Sequence, residues 1–258
     1  MINFDELNIT EPLLKALNDL EYIHPTPIQE KAFPVIMSGL DVIGVAQTGT
    51  GKTFAYLLPI IRQLNFIHDK HPRVIILVPT RELVVQVVQE IEKLTKYINL
   101  RFGGIYGGSN INPQKQMVFD GLDILVATPG RLLDLVKRKA VNLAQVKTFV
   151  LDEADEMLNM GFIQDVERIL TTTPSTKQST FFSATMPPAV KRLVKNFLKS
   201  PVTVKVESQD STPTRIDQQI YLVPYHLTKE EALLPILEYE APTSAIIFVR
   251  TKDSASRL

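Results

Sequence analysis

Residues 42–58 read VIGVAQTGTGKTFAYLL, and the rest of the chain is most easily understood from this stretch. A short apolar run, Val42 to Ala46, leads into a glycine-rich turn, and the apolar run FAYLL follows it. Gly49 and Gly51 allow the backbone to curl so that its N–H groups face an anion, and the dipole of the following helix adds positive potential. A strand, a glycine-rich loop and a helix in this order predict a phosphate-binding loop.

The loop itself is AQTGTGKT, with Ala46 in place of the glycine that usually begins such a loop. Lys52 is expected to reach the β- and γ-phosphates of a nucleotide, and Thr53 to offer its hydroxyl to Mg²⁺. The alternative is a glycine-rich turn with an incidental lysine. The candidate nucleotide-binding residues of the loop are Ala46, Gln47, Thr48, Gly49, Thr50, Gly51, Lys52 and Thr53.

Short β-branched runs recur along the chain and alternate with stretches of helical period, such as Leu83, Val87, Ile91 and Leu94. Continuous apolar strands separated by helices predict an α/β fold with a parallel sheet that is buried on both faces and has right-handed crossovers. The other predicted strands of this region are Val74 to Val78, Asp123 to Ala127, Thr148 to Asp152, Ser179 to Ser183 and Val202 to Val206.

A pair of carboxylates follows the strand TFVLD, which ends at Asp152. A phosphate loop needs a carboxylate at the end of a neighbouring strand to hold the metal, and Asp152 is the candidate, bound to Mg²⁺ through water. Glu153 would orient or deprotonate an attacking water. The alternative is that residues 152–155 are simply an acidic helix start favoured by the helix dipole.

The composition restricts the class of protein. The 258 residues are 45% hydrophobic and contain no cysteine, which predicts a globular fold and excludes disulfides, thiolate metal sites and thiol catalysis. Twenty-eight basic residues balance twenty-eight acidic ones, so net charge gives no sign of a nucleic-acid partner. No apolar run approaches the ~20 residues that cross a bilayer, so we expect a cytoplasmic protein with no membrane partner.

The sequence becomes polar after Val206, where a segment that contains Pro213 lacks any periodic pattern of apolar residues. We expect a complete N-terminal domain over residues 1–207, a linker over residues 208–219, and an incomplete second domain over residues 220–258. Within that last part, residues 219–225 and 245–249 are predicted to be strands that flank a helix around residues 229–237.

Residues 152–155 spell DEAD, and the chain resembles the DEAD-box ATP-dependent RNA helicases of bacterial type. The resemblance implies a RecA-like P-loop domain followed by the beginning of a second RecA-like domain, with ATP and Mg²⁺ as cofactors and RNA as partner. The elements that carry it are PTPIQ (Pro25 to Gln29), AQTGTGKT, PTRELVVQ (Pro79 to Gln86), Gly107-Gly108, TPGRLLD (Thr128 to Asp134), Ser183-Ala184-Thr185 and IIFVRTK (Ile246 to Lys252).

The resemblance also implies roles for residues around the nucleotide. Gln29 would hydrogen-bond the adenine edge, because an amide carries one donor and one acceptor side by side, and Thr26 would assist it. Tyr22 would stack on the adenine ring, although Glu21 stands where the family commonly has glycine. Ser183 and Thr185 would hydrogen-bond the segment 152–155 and couple it to the nucleotide, the alternative being ordinary turn contacts.

An RNA-facing surface is implied as well, built from glycines, helix starts and arginines that contact phosphate and 2′-OH without reading base edges. For Arg81 the alternative is an ion pair with a nearby acid, and for Gly107-Gly108 a plain turn. The implied residues are Pro79, Thr80, Arg81, Gly107, Gly108, Thr128, Pro129, Gly130 and Arg131.

Three hypotheses about function follow. The first is an ATPase whose turnover is coupled to RNA binding and strand separation, and the second is a non-catalytic ATP- and RNA-binding module. The third, a DNA translocase or nucleotide switch, is disfavoured by PTPIQ and PTRELVVQ. Phosphoryl transfer of this kind needs an arginine finger, which the family supplies from a pattern like HRxGRxxR. Neither Arg250 nor Arg257 matches it, so we expect a chain truncated after IIFVRTK that binds nucleotide but turns it over slowly.

Overall fold

The structure is a computed structural model of the chain, and it describes residues 2–206, 217 and 219–258. The chain divides into two compact units, residues 1–209 and residues 210–258. Each unit is described by itself.

The first unit is built on a parallel sheet, which confirms the predicted α/β class. In the described part of the chain the sheet has seven strands in the order β3-β4-β2-β5-β6-β1-β7, and every adjacent pair is parallel. The strands are β1 (Val42–Val45), β2 (Val74–Leu77), β3 (Phe102–Ile105), β4 (Ile124–Ala127), β5 (Thr148–Leu151), β6 (Gln178–Ser183) and β7 (Val202–Lys205).

Strand β3, at the edge of the sheet, is not predicted by the sequence pattern. Its residues FGGI lack the β-branched character of the other strands, and two of the four are glycines. The glycines are required by close packing: a Cβ at Gly103 would lie 2.4 Å from Met117 Sδ, and one at Gly104 would lie 2.6 Å from Val84 Cγ1. The side chains that cover both faces of this strand therefore occupy the space where its own side chains would stand.

Helices cover both faces of the sheet, as the continuous apolar strands predict. Successive strand residues alternate between two cores, so that Ile76, Val150 and Phe182 share one with α1–α4. Ile75, Phe149 and Phe181 share the other with α5–α9. The helices are α1 (Glu11–Asp19), α2 (Pro27–Met37), α3 (Lys52–Gln63), α4 (Arg81–Leu94), α5 (Ile111–Asp120), α6 (Pro129–Lys137), α7 (Ala154–Asn159), α8 (Ile163–Thr172) and α9 (Pro188–Phe197), after a 3₁₀ turn at Phe4–Leu7.

The second unit contains two helices in its described residues, α10 (Lys229–Glu240) and α11 (Lys252–Arg257). The predicted helix around residues 229–237 is confirmed, whereas the strands predicted at residues 219–225 and 245–249 are wrong. A strand needs a neighbour for its backbone hydrogen bonds. These apolar segments have no such ladder in the described residues, and Leu222 and Phe248 are each 91% exposed.

The predicted linker, residues 208–219, falls outside the described residues except at positions 217 and 219. The domain boundaries inferred from the sequence remain a prediction. Among the described residues, no helix combines the length and the apolar character that crossing a bilayer requires.

Candidate functional site

The predicted site residues lie at the carboxyl edge of the sheet, where parallel α/β sheets bind ligands. The register sets the strand ends level, because Leu77 pairs with both Ala127 and Leu151, and Val45 pairs with Ser183. The order of the strands separates two groups of elements. The phosphate loop, residues 152–155 and Ser183 to Thr185 follow β1, β5 and β6, whereas the predicted RNA-facing elements follow β3, β4 and β2.

The phosphate loop connects β1 to α3, and its glycines have the backbone angles that such a loop needs. Gly49 has φ 83° and Gly51 has φ 90°, in the left-handed region that favours glycine. A Cβ at Gly51 would lie only 2.5 Å from Gln29 Nε2. The loop therefore excludes a side chain at Gly51 both by conformation and by its contact with α2.

Lys52 begins α3 and lies inside the loop. Its side chain is buried, with 6% of the residue exposed, and its Nζ has no hydrogen-bond partner among the described residues. A buried ammonium without a partner is costly, and a phosphate oxygen is the partner that the lysine of a phosphate loop takes. The orphaned cation therefore fits the phosphates of a nucleotide.

Asp152 lies directly after β5 and is also buried, and both of its carboxylate oxygens accept a hydrogen bond. Tyr56 Oη donates to Oδ2 at 3.0 Å, and the Glu153 backbone N–H donates to Oδ1 at 2.9 Å. Burial raises the pKa of Asp152 to about 6, although Lys52 and Tyr56 act in the opposite direction. The Tyr56 hydroxyl that donates to Asp152 also lies beside the Thr53 side chain. A buried carboxylate and a hydroxyl are the oxygen ligands that Mg²⁺ takes beside phosphates, so the residues present fit that ion.

Glu153 caps α7 with an unusual backbone conformation. Its φ of 52° and ψ of 50° are left-handed, which for a residue with a side chain costs about 1–2 kcal/mol. Burial raises the pKa of its carboxyl, and the positive charge of Lys52 offsets only part of that increase. Backbone strain of this kind persists where the surrounding structure enforces it and often occurs at functional sites.

The Ser183-Ala184-Thr185 element contacts the acidic segment, residues 152–155, as the resemblance implies. Thr185 donates to Asp155 Oδ2 twice, from its backbone N at 2.8 Å and from Oγ1 at 2.9 Å. The Asp155 backbone N–H in turn donates to Ser183 Oγ at 3.2 Å. Burial raises the pKa of Asp155, but these hydrogen bonds outweigh it and the net shift is downward. The network joins the end of β6 to the start of α7.

A cleft of about 310 Å³ lies beside the phosphate loop, and the predicted adenine-binding residues line it. Gln29 is buried there and joins two elements: its Oε1 accepts from Thr26 N at 2.9 Å, and its Nε2 donates to Gly51 O at 3.1 Å. An amide has two donors and two acceptor positions, so one of each remains free for a ligand. Tyr22 is 49% exposed and packs edge-on against Phe54, with the two ring centroids 5.4 Å apart.

At the turn before Tyr22, Glu21 has φ 58°, a left-handed conformation that favours glycine.

The predicted RNA-facing elements, on the other half of the sheet edge, contact one another. The Arg81 guanidinium lies 5.0 Å from the centre of the Tyr106 ring, and Arg131 Nη2 donates to Ser109 O at 2.9 Å.

Both arginines therefore pack against the loop that follows β3. That loop carries Gly107 and Gly108, which face open space, and Gly108 has φ 75°. At the neighbouring helix starts, Pro79, Thr128 and Pro129 are buried, Gly130 is exposed, and Thr80 Oγ1 accepts from Leu83 N at 3.2 Å.

The model of the family described as "DEAD/DEAH box helicase" matches residues 26–193, which is more than half of the chain. The chain belongs to the DEAD/DEAH box helicase family. It is 46% identical over 255 residues to "RNA helicase CrhR" of Synechocystis sp., a match that covers 99% of this chain and 51% of the relative. It is 44% identical over 252 residues to "ATP-dependent RNA helicase DeaD" of Escherichia coli, covering 97% of this chain and 40% of that protein.

Among solved structures, the crystal structure of a DEAD box protein from Methanococcus jannaschii matches this chain with a TM-score of 0.77 and 42% identity. That match covers 80% of this chain and 56% of the other, and the RecA-like class expected for the first unit is thereby confirmed. The chain spans about half the length of the curated relatives it matches.

Two residues of this DEAD-box site are not singled out by the sequence pattern, Tyr56 and Gln114. Gln114 Oε1 accepts from Tyr106 N at 3.1 Å, and its Nε2 donates to Tyr106 O at 3.2 Å and to Ser109 Oγ at 2.7 Å. It thereby holds the loop that contains Gly107-Gly108. Its only signal in the sequence is a lone glutamine near the start of the next helix, which by itself indicates nothing.

Proposed function

We propose that this chain is the nucleotide-binding part of an ATP-dependent RNA helicase, which couples ATP binding and hydrolysis to RNA binding and local duplex unwinding. The observation that carries the proposal is the buried Lys52 Nζ, which lacks a hydrogen-bond partner in the described residues and stands at the start of α3 in a phosphate loop. Asp152 and Glu153 lie at the end of a strand on the same edge of the sheet.

In this proposal the phosphates of ATP bind to the loop N–H groups and to Lys52, which neutralises their charge. Thr53 and Asp152 would hold Mg²⁺, which supplies positive charge to the phosphates when bound. Glu153 orients the attacking water and accepts its proton, and burial of its carboxyl favours that role by making it more basic. Gln29 and Tyr22 select adenine through the free donor and acceptor of the amide and the exposed ring.

RNA is proposed to bind at the other half of the sheet edge, through Arg81, Arg131 and the loop that contains Gly107-Gly108. These groups suit contacts with phosphate and 2′-OH, so binding would be independent of base sequence. The hydrogen bonds among Ser183, Thr185 and Asp155 connect the acidic segment to β6, and we propose that nucleotide state is communicated through them. The cytoplasmic location expected from the sequence stays a prediction.

A second candidate function is a nucleotide-binding module with very slow turnover, and one sequence observation favours it for the chain by itself. The 258 residues contain no stretch of the HRxGRxxR type, and a cation on the developing charge is worth about 10³–10⁵ in rate in related phosphoryl transfers. RNA-stimulated hydrolysis by this chain at the rate of a full-length relative would exclude the second candidate.

The proposed nucleotide site is tested by titrating a fluorescent ATP analogue in the presence of Mg²⁺ against the wild-type chain, Lys52→Ala and the control Lys191→Ala, whose side chain is exposed on α9. We expect Lys52→Ala to lose binding and Lys191→Ala to retain it. Equal binding by all three proteins would contradict the site.

Nucleotide selectivity is tested separately with Gln29→Ala, because the free donor and acceptor of Gln29 are proposed to read adenine. We expect this variant to weaken ATP binding more than GTP binding, by the equivalent of about 1–3 kcal/mol. An equal loss for both nucleotides would remove the role of Gln29 in selectivity.

A further inference from the structure

Tyr56 is the buried group at the nucleotide site to which the proposed function gives no role. It lies on α3 four residues after Lys52, so both side chains project from the same face of the helix. The residue is 0% exposed, and its hydroxyl donates to Asp152 Oδ2 at 3.0 Å across 96 residues of sequence. One helix thus supplies both the lysine for the phosphates and a donor to the carboxylate that directly follows β5.

The ring of Tyr56 is fixed by its packing. Phe182 of β6 lies against it with ring centroids 5.5 Å apart, and Phe182 is itself fully buried. The space that Phe182 occupies exists because Gly44 on the adjacent strand has no side chain: a Cβ there would lie 2.2 Å from Phe182 Cε1. Gly44 and Phe182 therefore hold the ring, and the ring places the hydroxyl.

We propose that Tyr56 is a positioning residue that sets the orientation of the Asp152 carboxylate for Mg²⁺, an inference that rests on the proposed function. The two oxygens of Asp152 each accept one hydrogen bond, from Tyr56 and from the Glu153 backbone, and together these bonds fix the rotation of the carboxylate about its Cβ–Cγ bond. Each oxygen keeps a further lone pair for the metal or its water. Groups that orient metal ligands in this way commonly change metal affinity by about 10–100-fold when removed.

The variant that tests this role is Tyr56→Phe, which removes the hydroxyl and keeps the ring against Phe182. The matched control is Tyr97→Phe, which deletes a hydroxyl that donates to Asp19 on the protein surface. Binding of a fluorescent ATP analogue is measured for each protein in EDTA and across a series of Mg²⁺ concentrations. Thermal unfolding by circular dichroism accompanies both series.

We expect Tyr56→Phe to raise, by about 10-fold, the Mg²⁺ concentration at which the Mg²⁺-dependent gain in nucleotide binding reaches half of its maximum. Its nucleotide affinity in EDTA should equal that of the wild type, and Tyr97→Phe should match the wild type in both measurements. An unchanged Mg²⁺ midpoint in Tyr56→Phe would overturn the positioning role. An equal loss of affinity with and without Mg²⁺ would also overturn it, because Tyr56 would then act on the loop and not on Asp152.

The same titration separates this inference from the proposed function. A wild-type chain that shows no Mg²⁺-dependent nucleotide binding would overturn the proposed function, and the role of Tyr56 with it. Mg²⁺-dependent binding by the wild type together with an unchanged Tyr56→Phe midpoint would overturn the role of Tyr56 alone.

Discussion

Replacement of Gln29 by alanine removes two hydrogen bonds: one from Thr26 N, which caps the start of α2, and one to Gly51 O, which joins α2 to the phosphate loop. Each bond of this kind contributes about 1 kcal/mol, so the folded chain without nucleotide should lose about 2 kcal/mol. For a domain of this size, each kcal/mol lowers the unfolding midpoint by about 2–4 °C, which gives a decrease of about 4–8 °C. Gln29 would therefore stabilise the empty site as well as read the base.

The assay is thermal unfolding by circular dichroism in the absence of nucleotide. Gln29→Glu is the informative companion variant, because it keeps an acceptor for Thr26 N but turns a buried carboxylate oxygen towards Gly51 O, so a decrease at least as large as that of Gln29→Ala is expected. Gln116→Ala is the control, since within the described residues that exposed side chain makes one hydrogen bond, to Asp120. An unfolding midpoint for Gln29→Ala equal to that of the wild type would refute the structural role.

Three further predictions concern stability and RNA binding. Asp123→Asn should lose about 3 kcal/mol of unfolding free energy at pH 7, because it leaves a buried cation unpaired. Burial raises the pKa of Asp123, but hydrogen bonds, first those from Arg101, outweigh burial, so the pKa in the folded chain is lower than usual. The stability that ionised Asp123 contributes is therefore present above the ordinary carboxyl pKa and is lost as the pH falls through the pKa of the folded chain. Urea unfolding at several pH values checks this, and a wild-type advantage that grows with acidity would contradict it. Gln114→Ala should weaken binding of a labelled single-stranded RNA about tenfold, the equivalent of one lost hydrogen bond, and leave ATP affinity unchanged. Fluorescence anisotropy measures the RNA affinity, and unaltered RNA binding would remove Gln114 from the RNA surface. Gly44→Ala should lower the unfolding free energy by about 1–3 kcal/mol, because its Cβ would clash with Phe182, and a urea midpoint at the wild-type value would show that the ring can move.

The sheet of the first unit could be predicted from the sequence because its central strands are apolar on both faces. Runs such as Val74 to Val78 and Thr148 to Asp152 carry that signal in a few adjacent residues, and the structure contains both strands. The signal fails at β3, where glycines replace branched residues to admit Met117 and Val84. It also misleads in the second unit, because an apolar run forms a strand only beside a partner.

At the candidate site, the residues that could be predicted from the sequence are those whose chemistry is local. Gly51, Lys52 and Asp152 occur in short patterns that specify a phosphate loop and a carboxylate at a strand end. The hydrogen bond from Tyr56 to Asp152 joins residues 96 positions apart, and it depends on the order of β5, β6 and β1 in the sheet. Contacts of that kind follow from the sheet topology, so no local sequence pattern predicts them.

The most direct test of the proposed nucleotide site is a crystal structure of this chain with Mg²⁺ and a non-hydrolysable ATP analogue. We predict the β- and γ-phosphates on the loop N–H groups and Lys52 Nζ, the metal between the phosphates, Thr53 and Asp152, and the adenine against Gln29 and Tyr22. A nucleotide bound away from the phosphate loop, or phosphates that leave Lys52 Nζ without a partner, would contradict the proposal.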